Sequence, residues 1–128
     1  MAVIRNLENG RRLCEHFSIA DTSLSRALGF MFRRPCNHTL VFLFPAPVRV
    51  CLHMWFVFGA IDVLILDSGG RVAALKSRFR PWTVWCPGVR ASVIIELPVG
   101  TIARTGTRLG HRIAVPLPGA RASSSHSV

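Results

Sequence analysis

Residues 61–79 read IDVLILDSGGRVAALKSRF, and this stretch decides the fold class. Its first six residues form an apolar run of the kind found in buried strands. Asp67-Ser68-Gly69-Gly70 then predicts a tight turn, because glycine adopts positive φ at little steric cost. Residues 71–79 continue as a return strand. The stretch therefore predicts a β-hairpin.

Short runs of similar character lie on both sides of this hairpin. They predict strands over residues 3–4, 16–19, 40–44, 48–58, 92–97 and 111–115. Pro45 is expected to end the run over residues 40–44. Short strands at this spacing, with few helical segments, indicate a mainly β fold, either a compact antiparallel barrel or a sandwich.

Helical signals occur twice. Apolar residues at helical spacing predict one short helix over about residues 22–32. Thr101 is a candidate cap for a helical turn near residues 101–105, and Gly106 stands at its C-terminal cap position. At 128 residues the chain suits a single core. We expect one domain over residues 1–116 and a disordered polar tail over residues 117–128.

The chain is strongly basic, with 16 Lys and Arg residues against six Asp and Glu residues and a formal charge of +10. Such a charge favours polyanionic partners such as nucleic acid. Fifteen of the 16 basic residues are arginines, scattered from Arg5 to Arg121, with Lys76 as the single lysine. This scatter weighs against a nucleic-acid function without removing it.

The four cysteines are Cys14, Cys36, Cys51 and Cys86. The N-terminal residues contain no apolar stretch suited to a signal peptide, and no Cys-x-x-Cys occurs. We therefore expect a cytoplasmic protein with free and mostly buried thiols. Arg49 and Asp62 argue against a transmembrane helix in the apolar region over residues 40–66.

Two Cys-x-His pairs raise the question of a metal site. Cys36, His38, Cys51 and His53 would suit tetrahedral zinc in number and type. Their one-residue spacing is shorter than usual, and Cys51 lies in an apolar run. Small buried thiols are therefore the favoured interpretation, and we expect no metal and no cofactor.

Three polar residues lie inside strongly apolar segments: His53, Asp62 and Glu96. A charge buried alone is costly, so each needs a partner or access to solvent. One interpretation is a shared polar pocket, and the other is a set of local hydrogen bonds or ion pairs, for example with Arg33 or Arg78. Both interpretations stay open. Asp67 is most simply a turn residue.

Several stretches together resemble a known family, the domain of unknown function 192 family of small prokaryotic proteins. They are Gly29-Phe30-Met31-Phe32-Arg33, Leu40-Val41-Phe42-Leu43-Phe44-Pro45, His53-Met54-Trp55-Phe56, Ile61-Asp62-Val63-Leu64-Ile65-Leu66-Asp67 and Glu96-Leu97-Pro98. The resemblance covers about residues 24–115 and is to the form common among archaeal members. It implies a mainly antiparallel β fold and a family without an established activity, so it supplies no catalytic residues.

The chain departs from this family near its end. Where members usually have Gly-Asp, this chain has Gly110-His111. If the aspartate caps a turn or accepts an ion pair, His111 replaces an anion by a neutral or cationic ring.

The preferred functional hypothesis is a non-catalytic module that binds a small ligand or a partner. Its pocket would be lined by His53, Asp62, Glu96 and Arg33, with Trp82 at the rim as a stacking surface. A basic protein associated with nucleic acid is the first alternative. A hydrolase-like enzyme with a carboxylate/His pocket is the second, and it requires Asp62 and Glu96 to lie close together.

Overall fold

The structure is a computed structural model, and it describes residues 3–20, 39–54 and 59–116. Its strands are β1 (Ile4–Asn6), β2 (Arg12–Cys14), β3 (Ser18–Ala20), β4 (Leu40–Arg49), β5 (Leu52–His53), β6 (Ile61–Leu66), β7 (Val72–Phe79), β8 (Val84–Trp85), β9 (Arg90–Pro98) and β10 (Ile113–Ala114). Within these described ranges one helix, α1 (Thr101–Thr105), follows β9. The mainly β prediction and the helical turn near residues 101–105 are confirmed.

Five strands form a central sheet in the order β3-β4-β9-β6-β7. β3 runs parallel to β4, and the other neighbours are antiparallel. All six residues of β6 are buried because apolar layers cover both faces of the sheet. The predicted hairpin connects β6 to β7, and the Oδ1 atom of Asp67 accepts hydrogen bonds from the amides of Gly69 and Arg71. Asp67 is therefore a turn residue.

A second sheet, in the order β10-β1-β2, packs with α1 on one face of the central sheet, and we call it the outer sheet. The core between these layers is formed by Ile4, Leu13, Val41, Leu64, Leu66, Val72, Ile95, Leu97, Ile102 and Ile113. The opposite face carries the paired strands β5 and β8, which we call the ribbon. The described strands thus form a sandwich and do not close into a barrel.

The predicted end of a strand at Pro45 is wrong. β4 continues through Pro45 and Pro47 to Arg49. Its pairing with β9 lapses between Leu43 and Val48, so the prolines occupy a stretch where no ladder hydrogen bond is needed. The strand predicted over residues 48–58 is also interrupted, because β4 ends at Arg49 and β5 is only two residues long.

Several predictions concern residues outside the described part of the chain. These are the helix over residues 22–32, the tail over residues 117–128, and the candidate residues Arg33, Cys36 and His38. The division into a domain over residues 1–116 and a tail stays a prediction. In the described ranges, no helix is both long and apolar enough to span a membrane.

The prediction that Cys51 and Cys86 are free, buried thiols is wrong. Both residues are exposed, and their sulfur atoms form a disulfide bond. The bond joins the chain just before β5 to the chain just after β8, so it closes the end of the ribbon. Cys14 is a free cysteine and is half-buried, and burial raises the pKa of its thiol.

Replacing both Cys51 and Cys86 with alanine is expected to lower the free energy of unfolding by about 2–4 kcal/mol. The bond links two residues that are 35 positions apart in the sequence, and its removal restores conformational freedom to the unfolded chain. Urea unfolding with and without reductant measures the effect. The double variant is the control, since reductant leaves its stability unchanged. Equal stability of the oxidised and reduced wild-type protein would contradict the prediction.

Candidate functional site

Asp62 lies on β6, and its side chain is buried on the outer-sheet side of the central sheet. Its Oδ2 atom accepts hydrogen bonds from the amides of Gly100 at 3.1 Å and Ile102 at 2.8 Å. Its Oδ1 atom accepts a third from the amide of Arg78 at 3.0 Å. Three backbone donors thus satisfy the carboxylate, which favours the structural interpretation of this residue.

These bonds also correct the predicted cap of α1. The cap position is held by Gly100, whose φ of 94° suits glycine, and Thr101 is the first helical residue. The Thr101 hydroxyl donates to the carbonyl of Pro98 instead of capping the helix. Asp62, from a strand about 40 positions earlier, takes the role of the capping side chain.

Asp62 also stabilises an irregularity in β7. Arg78 has a φ of 54°, in the left-handed region, and the pairing of β6 with β7 shifts register at this point. The shift frees the Arg78 amide from the ladder, and Asp62 accepts its hydrogen bond. The predicted contact between Asp62 and Arg78 therefore exists through the backbone amide of Arg78.

Glu96 lies on β9, the middle strand of the central sheet. Its register partners are Leu40 on β4 and Val63 on β6, both buried. The side chain is half-buried on the ribbon side, and burial raises the pKa of its carboxyl from 4.5 to about 8. Among the described residues, no charged partner offsets this loss of solvation. The carboxyl of Glu96 therefore lies in apolar surroundings on the ribbon side of the central sheet.

Asp62 and Glu96 point to opposite faces of the central sheet. Asp62 pairs with Leu97 of the outer-sheet core, whereas Glu96 pairs with Val63 of the ribbon-side core. Side chains alternate between the two faces of a strand, so the sheet itself separates the two carboxylates. The structure does not bring together the pair that the hydrolase hypothesis requires.

The ribbon carries His53, and the turn before β8 carries Trp82, on the same side of the sheet as Glu96. Both side chains are exposed. Met54, which follows His53, is buried in the ribbon-side core, and its backbone pairs with the amide of Trp82. Trp85 adds an edge contact to Phe79, with ring centroids 6.2 Å apart. These contacts attach the ribbon to the sheet.

Cys51 is not available as a zinc ligand, because its sulfur is bonded to that of Cys86. Cys36 and His38 lie outside the described ranges. Among the residues that the structure does describe, no three His, Cys, Asp or Glu side chains are grouped in a way that could hold a metal ion.

A buried polar cluster beside α1 was not predicted from the sequence. The Asn6 Nδ2 group donates to Thr107 Oγ1 at 3.2 Å and contacts His111 Nδ1 at 3.0 Å, and Thr107 Oγ1 lies 2.7 Å from Thr105 Oγ1. The amide of Glu8 donates to Asn6 Oδ1. Asn6 is fully buried in a short strand. A local pattern does not predict this cluster, because Asn6 is about 100 positions away from Thr107 and His111 in the chain.

His111 is the residue at which the resemblance leads us to expect an aspartate. Its Nδ1 atom lies 3.0 Å from Asn6 Nδ2 and 3.3 Å from the Arg108 amide, and both neighbours are donors. Nδ1 must therefore accept, which assigns the proton to Nε2 of a neutral ring. The ring thus offers the acceptor that an aspartate oxygen would offer.

His111→Asp is therefore expected to change the free energy of unfolding by no more than about 0.5 kcal/mol. His111→Leu is expected to cost about 1–2 kcal/mol, because it leaves the Asn6 donor without this acceptor. Urea unfolding of the two variants side by side checks the comparison. A leucine variant as stable as the aspartate variant would show that His111 is not needed as an acceptor.

The fold and these residues define a small β-sandwich protein. The middle strand of its central sheet carries a half-buried glutamate, Glu96. The chain belongs to the domain of unknown function 192 family, described as "Uncharacterized ACR, COG1430", whose model matches residues 5–115. This confirms the resemblance found in the sequence.

Archaeal relatives support the assignment. The chain is 38% identical over 110 residues to a UPF0127 protein of Thermococcus sibiricus, covering 84% of this chain and 71% of that protein. It is also 38% identical over 97 residues to a UPF0127 protein of Pyrococcus horikoshii, covering 74% of this chain and 83% of that protein. Neither the family description nor these names give an activity, as the resemblance implied.

Two solved structures share the fold. A protein of unknown function from Novosphingobium aromaticivorans matches with a TM-score of 0.74 at 23% identity, covering 88% of this chain and 82% of that one. A Sinorhizobium meliloti protein, named a "putative transcription regulator", matches with a TM-score of 0.75 at 22% identity, covering 89% and 91%. At these identities the likeness shows the fold alone.

Proposed function

We propose that the protein is a non-catalytic binding module whose site lies on the ribbon side of the central sheet, around Glu96. The observation that carries the proposal is the placement of this carboxyl between Leu40 and Val63 on the middle strand. A polar group kept in apolar surroundings costs stability, and such groups are concentrated at functional sites.

The chemistry of Glu96 supports a small ligand with one polar group and an apolar body. With a pKa of about 8, the carboxyl is mostly protonated at neutral pH, so it both donates and accepts a hydrogen bond. Leu40 and Val63 supply apolar contacts beside it. Trp82, in the turn before β8, offers an exposed ring for stacking.

The proposed site keeps three of the sequence candidates besides Glu96: His53 on the ribbon, Trp82 in the turn before β8, and Arg33 from the sequence alone. Asp62 leaves it, because its oxygens already accept three backbone hydrogen bonds on the other face. A protein partner is the other occupant of the site. Among the described residues no second carboxylate joins Glu96 at the site, so the hydrolase alternative has no support from the geometry.

The cytoplasmic location also remains a proposal. Disulfides such as Cys51–Cys86 are usual in oxidising compartments, but they also occur inside hyperthermophilic archaea. The second candidate function, association with nucleic acid, rests on the charge of +10 and does not use Glu96, since a carboxyl group does not attract phosphate.

A thermal-shift panel on the full chain tests the binding proposal. The panel contains sugars, nucleotides and common metabolites, with Zn²⁺ measured with and without chelator. A ligand at 100 times its dissociation constant stabilises the protein by about 2.7 kcal/mol, which a melting curve detects. We expect a shift from one small molecule that Glu96→Leu removes and Trp82→Ala weakens.

Glu15→Leu is the matched control. Glu15 is an exposed glutamate that follows β2 and is paired with Arg12, and its replacement should leave the ligand-induced shift unchanged. An equal loss of the shift in the two leucine variants would contradict a site at Glu96. A flat panel would contradict the small-ligand form of the proposal, and a pull-down would then test the protein partner.

A further inference from the structure

Arginines that are far apart in the sequence meet on the solvent side of the outer sheet. Arg5 on β1 pairs with Arg12 on β2, and Arg71 forms an isolated bridge with Arg112 next to β10. In each case the neighbouring residue in the strand points into the core: Ile4 beside Arg5, and Ile113 beside Arg112. Because side chains alternate, all four arginines face outward. We call this set the arginine face.

The backbone fixes the positions of two of these side chains. A guanidinium nitrogen of Arg5 donates to the carbonyl of Gly10 at 2.7 Å, and one of Arg71 donates to the carbonyl of Gly110 at 3.0 Å. A guanidinium carries five N–H donors, so each keeps most of them for another partner. Part of the entropy cost of ordering these side chains is therefore met before any ligand arrives.

Further arginines surround the face: Arg11, Arg104 and Arg108. Arg11 and Arg104 cross-connect α1 and β2, since each donates to a backbone carbonyl of the other element. Three acidic residues lie in the same region: Glu8, Glu15, which is paired with Arg12, and Asp67, whose Oδ1 atom accepts a hydrogen bond from the Arg71 amide. Seven positive charges against three negative ones leave a net charge of about +4 in this region.

We propose that the arginine face binds duplex nucleic acid through its phosphates, without reading the bases. Strands are about 4.8 Å apart, so the face extends about 14 Å from β2 to Arg71. A B-form duplex carries about one charge per 1.7 Å of its axis and thus presents several phosphates over that length. Arginine suits phosphate because its planar fork donates two parallel hydrogen bonds.

The composition of the face favours a duplex over a single strand. Binding of single strands relies on aromatic rings that stack on bases, and the residues between these arginines are Leu7 and Ala114. The face is also on the opposite side of the molecule from the ribbon and Glu96. This inference is therefore independent of the proposed function at Glu96.

Fluorescence anisotropy with a mixed-sequence duplex of about 20 base pairs tests the inference. Titrations at about 50 and 200 mM salt give the dependence of affinity on salt. The double variant Arg71→Gln/Arg112→Gln should weaken binding at least about tenfold and lower the slope of log affinity against log salt by about 2. Melting curves verify that the variants fold.

The control removes the same charge elsewhere. Arg80 and Arg90 are exposed residues of the central sheet region, and Arg80 is at the opposite end of β7 from Arg71. Arg80→Gln/Arg90→Gln should change the affinity less than about threefold and should shift the salt slope far less. Equal losses in the two double variants would overturn the inference, since overall charge would then explain the binding.

Two further outcomes would also overturn it. One is the absence of salt-dependent binding to the duplex by the wild-type protein. The other is binding to phosphatidylserine vesicles that Arg71→Gln/Arg112→Gln abolishes while duplex binding is weak, which would assign the face to an anionic membrane surface. Arg112→Gln alone is a second variant. It removes one guanidinium from the face while Arg71 keeps its hydrogen bond to the carbonyl of Gly110.

Discussion

Replacing Asp62 with alanine is expected to lower the free energy of unfolding by about 4–5 kcal/mol. The substitution leaves the amides of Arg78, Gly100 and Ile102 without their acceptor, in a bond that is buried at Ile102 and part-buried at the other two. Each unsatisfied buried donor costs about 1–3 kcal/mol. The substitution also removes the side chain that caps α1 and that stabilises the irregularity in β7 at Arg78. Urea unfolding followed by circular dichroism measures it.

Asp67→Ala is the matched control, because Asp67 also accepts two backbone hydrogen bonds, from Gly69 and Arg71. Those bonds are exposed at a turn, so we expect a loss of about 1 kcal/mol. Asp62→Asn should fall between wild type and Asp62→Ala, since asparagine keeps one acceptor oxygen. If Asp62→Ala were no less stable than Asp67→Ala, the capping role of Asp62 would be disproved.

The second large effect is a pH dependence caused by Glu96. Its pKa is about 8 in the folded protein and has its ordinary value of 4.5 when the chain is unfolded. Between these values the folded protein holds a proton that the unfolded chain releases, so the free energy of unfolding falls as pH rises. The slope is at most about 1.4 kcal/mol per pH unit, and the whole window amounts to about 5 kcal/mol.

Glu96→Gln isolates this contribution, because glutamine is neutral at every pH. We expect the variant to match wild type near pH 4, where the carboxyl is protonated in both states. It should then be increasingly more stable than wild type up to about pH 8, with a constant difference above that pH. Lys76 is the charged group in the same row of the sheet, separated from Glu96 by Val63, and Lys76→Met tests whether it alters the window.

Urea unfolding at a series of pH values gives these curves. Glu15→Gln should follow the wild-type curve, since Glu15 is exposed and lies outside the central sheet. Parallel curves for wild type and Glu96→Gln would show that burial does not shift the pKa of Glu96 in the protein. This result would also withdraw the chemical argument for a protonated carboxyl at the proposed site, while the ligand panel would still decide whether the site binds.

Local patterns were enough to predict the strands that carry the fold. The apolar run of β6, the Asp67–Gly70 turn and the return strand β7 are adjacent in the chain, so their pairing needs no distant residue. The ordered motifs were also enough to identify the family. The end of β4 was missed because the pairing partner, and not the proline alone, determines where a ladder lapses.

The candidate site was predicted as residue types, without their arrangement. His53, Asp62 and Glu96 were correctly noticed as polar residues in apolar segments. Their separation onto two faces depends on the register of β6 against β9, where one position decides which face a side chain occupies. The bond between Cys51 and Cys86 likewise depends on the pairing of β5 with β8.

The sequence by itself determined the fold class, the hairpin at its centre, the turn role of Asp67 and the family. These follow from signals that span a few neighbouring residues. Only the tertiary structure decided the cap of α1 by Asp62, the isolation of Glu96, the polar cluster around Asn6 and the arginine face. Each of these joins residues tens of positions apart, and their contacts exist only once the sheets have paired and packed.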